Sequence, residues 1–169
     1  MGLLGMLRAH GGEKGEPSGT QLLSPVPGLL VPLSQVGDPV FSAGAMGEGF
    51  AVRPEDETVL SPVSGTVSVA GAPNFHAVDI AGDGGAEVLV HVGVDTVEMG
   101  GRGFKVLVRP GQRVKAGQAL LAFSRELIAR AGLDDVVIVS VPNSADLGGV
   151  RTILDGWVDA GTPVARVGA

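Results

Sequence analysis

Short apolar runs, separated by turns that carry glycine or proline, fill the chain from about residue 21 onward. The run Glu87-Val88-Leu89-Val90-His91-Val92-Gly93-Val94 alternates with a period of two, which predicts a half-buried strand. Val88, Val90, Val92 and Val94 form its core side, and Leu89, His91 and Gly93 form the other. Phe75 to Ala81 reads as a second strand, and Leu29–Leu33 and Thr66–Ala70 as two more. One stretch has a helical signature: Ser124 is placed to cap a helix that reaches about Ala131 and stops at Gly132. A further helical turn is expected near Ser144–Leu147. The pattern predicts an all-β domain, an antiparallel β-sandwich or flattened barrel with one or two short helices.

Parts of this pattern repeat. Ser24-Pro25-Val26-Pro27-Gly28 returns as Ser61-Pro62-Val63-Ser64-Gly65, each copy leading into a strand. Val114, Gly117 and Leu120 share their spacing with Val158, Gly161 and Val164. Gly47-Glu48-Gly49-Phe50 returns as Gly101-Arg102-Gly103-Phe104. Together these predict a duplicated β unit.

Between the strands that hold His76 and His91 lies Gly82-Asp83-Gly84-Gly85. Asp-Gly is a strong two-residue hairpin turn. With Asp83-Gly84 as the loop, Gly82 pairs with Gly85, and His76 falls directly opposite His91; a three-residue loop shifts the pairing by one. Directly paired residues share a face, with Cβ atoms about 5 Å apart, so the imidazoles can meet. Gly93 beside His91 leaves room for something to approach. Asp79, by parity, belongs to the face away from His76. A neutral imidazole is a nucleophile near pH 7, and two adjacent ones resist double protonation. One can attack phosphorus while the other donates a hydrogen bond to phosphoryl oxygens. The pair is also half of a zinc site. The domain offers no third histidine and no cysteine, so no intrinsic metal site is expected; zinc at His76 and His91 needs a ligand from a partner.

Composition narrows the field. The absence of cysteine excludes disulfides and thiolate chemistry and suits a cytoplasmic protein. The net charge of −6, with no basic stripe, argues against a nucleic-acid binder. No apolar run is long enough to span a bilayer. Residues 1–20 read as a flexible lead-in and 21–169 as one domain; residues 1–8 are apolar enough for a weak membrane contact.

The histidine segments carry a resemblance. Glu87 to Phe104, EVLVHVGVDTVEMGGRGF, resembles the phosphorylation-site segment of glucose-type enzyme IIA of the bacterial sugar phosphotransferase system. Pro73 to Val78, Gly111 to Leu120, Ser61 to Val67 and Asp38 to Pro54 are similar to other segments of that family. The resemblance covers roughly residues 21 to 167. It implies an antiparallel β-sandwich with a duplicated hybrid motif. It implies that His91 takes a phosphoryl group on its tele nitrogen, Nε2, from the histidine-containing phosphocarrier protein and passes it to an enzyme IIB domain. His76 would orient and stabilise that group, and no bound cofactor is implied. Asn74 stands where the family often has a threonine that hydrogen-bonds within the site. The matching docking face includes Asp38, Val40, Phe41, Leu89, Gly93, Asp95 and Val97.

Three rivals fit less well. A zinc metallopeptidase of related fold needs a second histidine where Gly93 stands. A biotinyl or lipoyl carrier needs a lysine in its tight hairpin, and Asp83-Gly84 has none. A purely regulatory protein that takes phosphate as a signal has the same site residues, and the sequence does not separate it from a transport component.

Overall fold

The computed structural model describes residues 19–168. Most of the lead-in, including the membrane contact expected of residues 1–8, lies outside the described residues, and Thr20 already opens the first strand. The chain runs through β1 (Thr20–Leu23), β2 (Gly28–Val31), α1 (Pro39–Ser42), β3 (Glu48–Pro54) and β4 (Thr58–Leu60). There follow β5 (Gly65–Val69), β6 (Ala77–Gly82), β7 (Glu87–Val92), β8 (Phe104–Val106), β9 (Arg113–Val114) and β10 (Ala119–Phe123). The last part holds α2 (Arg125–Arg130), β11 (Val137–Val141), β12 (Val150–Thr152), β13 (Gly156–Val158) and β14 (Pro163–Val167).

The strands form one eight-stranded sheet, ordered β13-β2-β3-β11-β7-β6-β5-β9, and two three-stranded sheets, β1-β14-β12 and β4-β10-β8. All strand pairs are antiparallel. The main core includes Val78, Ile80, Val88, Val90, Val137 and Val139 from the large sheet, and Leu22, Val164, Leu120 and Leu121 from the small ones. The architecture is the expected β-sandwich, with open sheet edges rather than a closed barrel. The helix behind Ser124 forms as read: the serine hydroxyl accepts from Leu127 N–H, and Gly132 follows with positive φ. Ser144–Leu147 is a 3-10 turn. The expectation missed α1, whose signals are Asp38 accepting from Val40 N–H and Pro39 in the first turn.

The duplication is real, and its hydrogen bonds show the correspondence. Leu23 N–H donates to Pro62 O, and Leu60 N–H donates to Pro25 O, so the two Ser-Pro-Val turns interlock. Ser24 Oγ donates to Val26 O and Ser61 Oγ to Val63 O, both at 2.7 Å. Ser24 O accepts from Gly161 N–H, as Ser61 O accepts from Gly117 N–H. The glycines after these turns are forced by close approach: a Cβ on Gly28 would lie 1.9 Å from Arg53 O, and one on Gly65 2.2 Å from Ala81 O. Strand order then matches β13, β2, β3 and β11 to β9, β5, β6 and β7. The Gly-x-Gly-Phe repeat is not part of this correspondence. By strand register Phe50 in β3 matches Val78 in β6, not Phe104, because glycine-rich turns recur wherever a tight bend is needed.

A second, smaller cluster covers part of the large sheet's outer face. Val31, Ala51 and Ile138 project from the strands, with Val136 just before β11, and Leu33, Val36 and Phe41 pack with them. This cap leaves the neighbouring outer-face positions of β7 and β6 at its rim.

Because Ser24 and Ser61 hold equivalent buried turns, Ser24→Ala and Ser61→Ala should each cost about 1–2 kcal/mol by leaving a carbonyl without its donor. Urea unfolding measures this; a loss in only one variant would break the equivalence.

Candidate functional site

His91 lies on β7, near the middle of the large sheet, on the outer face. Its partner on one side is Ile138 of β11 and on the other Ala77 of β6. The hairpin is therefore one residue out of the expected register. Gly82 N–H donates to Ala86 O and Gly85 N–H to Gly82 O, so the loop is Asp83-Gly84-Gly85. Gly85 takes the positive φ that a three-residue loop demands.

The histidines meet all the same. Their ring centroids are 4.7 Å apart and the planes nearly perpendicular, at 83°. His76 precedes β6 in a turn closed by Ala77 N–H and Asn74 O, while its own carbonyl accepts from Val92 N–H. The turn, not strand alternation, swings its ring over to His91. Asp79, read as facing away, shares the outer face with Ala77 and pairs with Leu89. Burial pushes its carboxyl up, with Glu87 adding to the effect.

Aromatic rings enclose the pair. Phe41 of α1 packs on His91 with centroids 5.0 Å apart, and Phe104 of β8 stands edge-on to His76 at 6.3 Å. Phe41 is thus a buried wall of the site, only 4% exposed, rather than a surface for partners. Phe104 was not singled out as a site residue, although it ends the histidine-centred motif; nothing in strand periodicity connects it with His76. His76 is buried, and the outer edge of His91 reaches the surface although protein surrounds the rest of its ring. Nδ1 of His91 is enclosed without a hydrogen bond of standard geometry, and a looser backbone hydrogen bond with Gly93 favours the charged ring.

This setting keeps both rings neutral. Burial lowers the His91 pKa to about 4; the neighbouring charge of His76 acts the same way, and the Gly93 backbone and Asp38 carboxylate oppose it weakly. Burial also lowers the pKa of His76. A neutral imidazole with a lone pair at its open edge can attack an electrophile at pH 7 without first losing a proton.

The other predicted residues separate into groups. Asp38 caps α1, and Val40 and Val97 are exposed apolar side chains, which suits a docking face. Asp95 is exposed at the start of the 3-10 turn Thr96–Met99, in the left-handed region at φ 59°. Leu89 is partly buried against the outer cluster. Asn74 is exposed, and among the described residues its side chain bonds to neither histidine. Gly93 does not leave an open approach. It is buried at φ 82°, and a Cβ there would lie 2.3 Å from Thr96 Cγ2 and 2.7 Å from Asp134 O. Its positive φ ends the strand alternation, so Val94 packs on the outer cluster instead of the main core. Among the described residues no group of three or more His, Cys, Asp or Glu side chains is placed to hold a metal ion. No helix among them is long and apolar enough to cross a membrane.

The imidazole resonances of His91 should keep neutral-form shifts from pH 8 to 5.5 and move with a midpoint near 4. Because unfolded histidine titrates near 6.5, the unfolded chain binds the extra proton between these values. Stability should therefore fall as pH drops from about 6.5 towards 4, and fall less steeply in His91→Ala. A midpoint near 6.5 in the folded protein would contradict the burial.

The sequence and the fold are similar to those of known proteins. The family model for the phosphoenolpyruvate-dependent sugar phosphotransferase system, EIIA 1, matches residues 20–147. The chain is 42% identical over 146 residues to the beta-glucoside-specific EIIBCA component of Dickeya chrysanthemi, covering 86% of this chain and 23% of that protein. It thus spans about a quarter of that relative's length. It is 39% identical to the glucose-specific EIIA component of Halalkalibacterium halodurans, covering 83% of this chain and 81% of that one. The solved structure of glucose permease IIA from Mycoplasma capricolum superposes with a TM-score of 0.77 at 31% identity, over 89% of this chain and 97% of that one. On this agreement of sequence and fold, the chain belongs to the EIIA 1 family of the phosphoenolpyruvate-dependent sugar phosphotransferase system.

Proposed function

We propose that the chain is a phosphocarrier of sugar uptake, with His91 accepting a phosphoryl group at Nε2 and passing it to an enzyme IIB domain. The observation that carries this reading is a neutral, half-enclosed imidazole touching a second neutral imidazole on an exposed sheet face. Nδ1 is enclosed beside the Gly93 backbone, which favours the tautomer with the proton on Nδ1 and the lone pair on Nε2. That pair forms the new N–P bond as the N–P bond to the donor breaks, its electrons returning to the donor ring nitrogen. The donor is the histidine-containing phosphocarrier protein, itself a phosphohistidine, so the bond made resembles the bond broken. Catalysis then reduces to positioning and charge stabilisation. His76 donates a hydrogen bond to the phosphoryl oxygens. Phe41 and Phe104 hold the two rings in place and exclude water from their inner sides.

An enzyme IIB acceptor is supported by the Dickeya relative, whose name joins A, B and C components in one chain. Val40 and Val97, with Asp38 and Asp95 nearby in sequence, offer an exposed apolar contact edged by carboxylates, suited to a partner with a basic rim. Asn74, exposed before His76, is free to reach a bound phosphoryl group. The reaction takes place in the cytoplasm and uses no bound cofactor.

With labelled phosphoenolpyruvate and the general phosphotransferase proteins, His91→Ala should take up no label; uptake in that variant would refute the acceptor. His76→Gln should accept label but pass it on to IIB at least tenfold more slowly. Normal onward transfer would overturn the role of His76. The label should be lost in acid and survive base.

A further inference from the structure

The duplication supplies an internal control for every surface feature of the sheet. Leu29 of β2 pairs with Trp157 of β13 at one edge; the matching pair in the other half is Thr66 of β5 and Arg113 of β9. At the second edge Arg113 makes two hydrogen bonds to the Asp83 carboxylate and one to Thr66 Oγ1. The same fold position is thus filled by a polar, internally satisfied group in one half and by exposed apolar side chains in the other. Trp157 is 59% exposed and Leu29 45%. Since the sheet edge closes without apolar residues at β9, the fold does not require them at β13.

Their place on the sheet points to what covers them. Val158 next door is in the main core, so Trp157 faces outward. Leu29 has the parity of Val31, which belongs to the outer cluster. Both therefore share the face of His91. From Trp157 the register leads through Leu29 and Arg53 to Val136 and then Gly93, whose N–H donates to Val136 O. The row is exposed as far as Arg53, beside Asp134, and covered at Val136 and Gly93, which are buried next to the outer cluster. Four strand spacings of about 4.8 Å put Trp157 roughly 20 Å from the histidine strand. A standard interface covers about 800 Å² of each partner, a patch roughly 30 Å wide, so one partner can touch both ends of the row.

We infer that Leu29 and Trp157 form the outer anchor of the surface on which the IIB phosphoryl acceptor docks, an inference that rests on the proposed role of His91. Tryptophan is a frequent anchor in protein interfaces. Exposed Asp155 and Asp159 flank it in sequence, so the matching contact on the acceptor is an apolar patch with a basic rim.

The chain has one tryptophan, so a 15N-labelled sample gives one indole N–H resonance. Titration with a purified IIB component from the source organism should shift that resonance together with the amides around His91. Replacing both residues by their counterparts, as Trp157→Arg with Leu29→Thr, should weaken IIB binding about tenfold or more and raise KM for IIB with kcat kept. Unchanged melting confirms that the edge still folds. If the amides near His91 shift and the indole does not, the anchor is wrong while the histidine site stands. If neither shifts, both readings fail. An indole shift with the donor alone, or with rising protein concentration and no partner, assigns the plate to the donor or to a second copy and overturns the inference. So does IIB affinity within twofold of the parent in the double variant.

Discussion

The structure depends on the pairing of β7 with β11. That ladder joins the two copies of the duplicated unit into one sheet, and Val90 opposite Val139 lies at its centre. Each copy alone would leave this strand as an open edge with unpaired backbone groups. Paired, the strands are buried on one side by the main core and on the other by the smaller cluster that includes Ile138 and Phe41. His91 sits within this ladder, which restrains its backbone from both sides. A side chain so placed keeps its position when its charge or its bonded group changes, as the proposed phosphoryl acceptor needs.

The same placement decides the electrostatics. Desolvation at the middle of the sheet outweighs the attraction of the single carboxylate that acts on His91, that of Asp38, and the adjacent histidine adds to the penalty on charge. Burial, and a neighbouring imidazole with its centroid 4.7 Å away, therefore favour the neutral rings. In the proposed role a phosphoryl group on His91 would reverse the sign of the problem: its negative oxygens favour a hydrogen-bond donor beside them, and the His76 ring already packs against that of His91. The site disfavours added protons. Val40, one residue before the Phe41 that packs on His91, is an exposed apolar side chain, which suits contact with another protein.

The fold was legible where one residue type answers one physical demand. Val88, Val90 and Val92 marked the core face, Ser124 the helix cap, and the Ser-Pro-Val turns the duplication. The histidine pair was legible as a pair but not in its register. Asp83-Gly84-Gly85 contains both a two-residue and a three-residue loop, and Gly85 could accept positive φ at no cost. What restored the contact was the turn at Asn74–Ala77, a feature without periodicity. Gly93 misled for a related reason. Glycine is compatible with open space and with close packing, and only the positions of Thr96 and Asp134 show which applies.

Comparing the two copies separates what the fold needs from what the function needs. By register the counterpart of His91 is Ser140 in β11, fully buried, its hydroxyl without a partner. The counterpart of His76 is Glu48, whose carboxylate accepts from Val150 N–H and ties β12 to β3. The backbone frame for a side-chain pair thus exists twice. In one copy the pair is two neutral rings in contact; in the other the serine is sealed without a partner and the exposed glutamate is spent on tying two strands together. The frame alone therefore does not make a site. Chemistry arises where the outer cluster stops short, leaving one edge of His91 at the surface while Phe41 closes the rest.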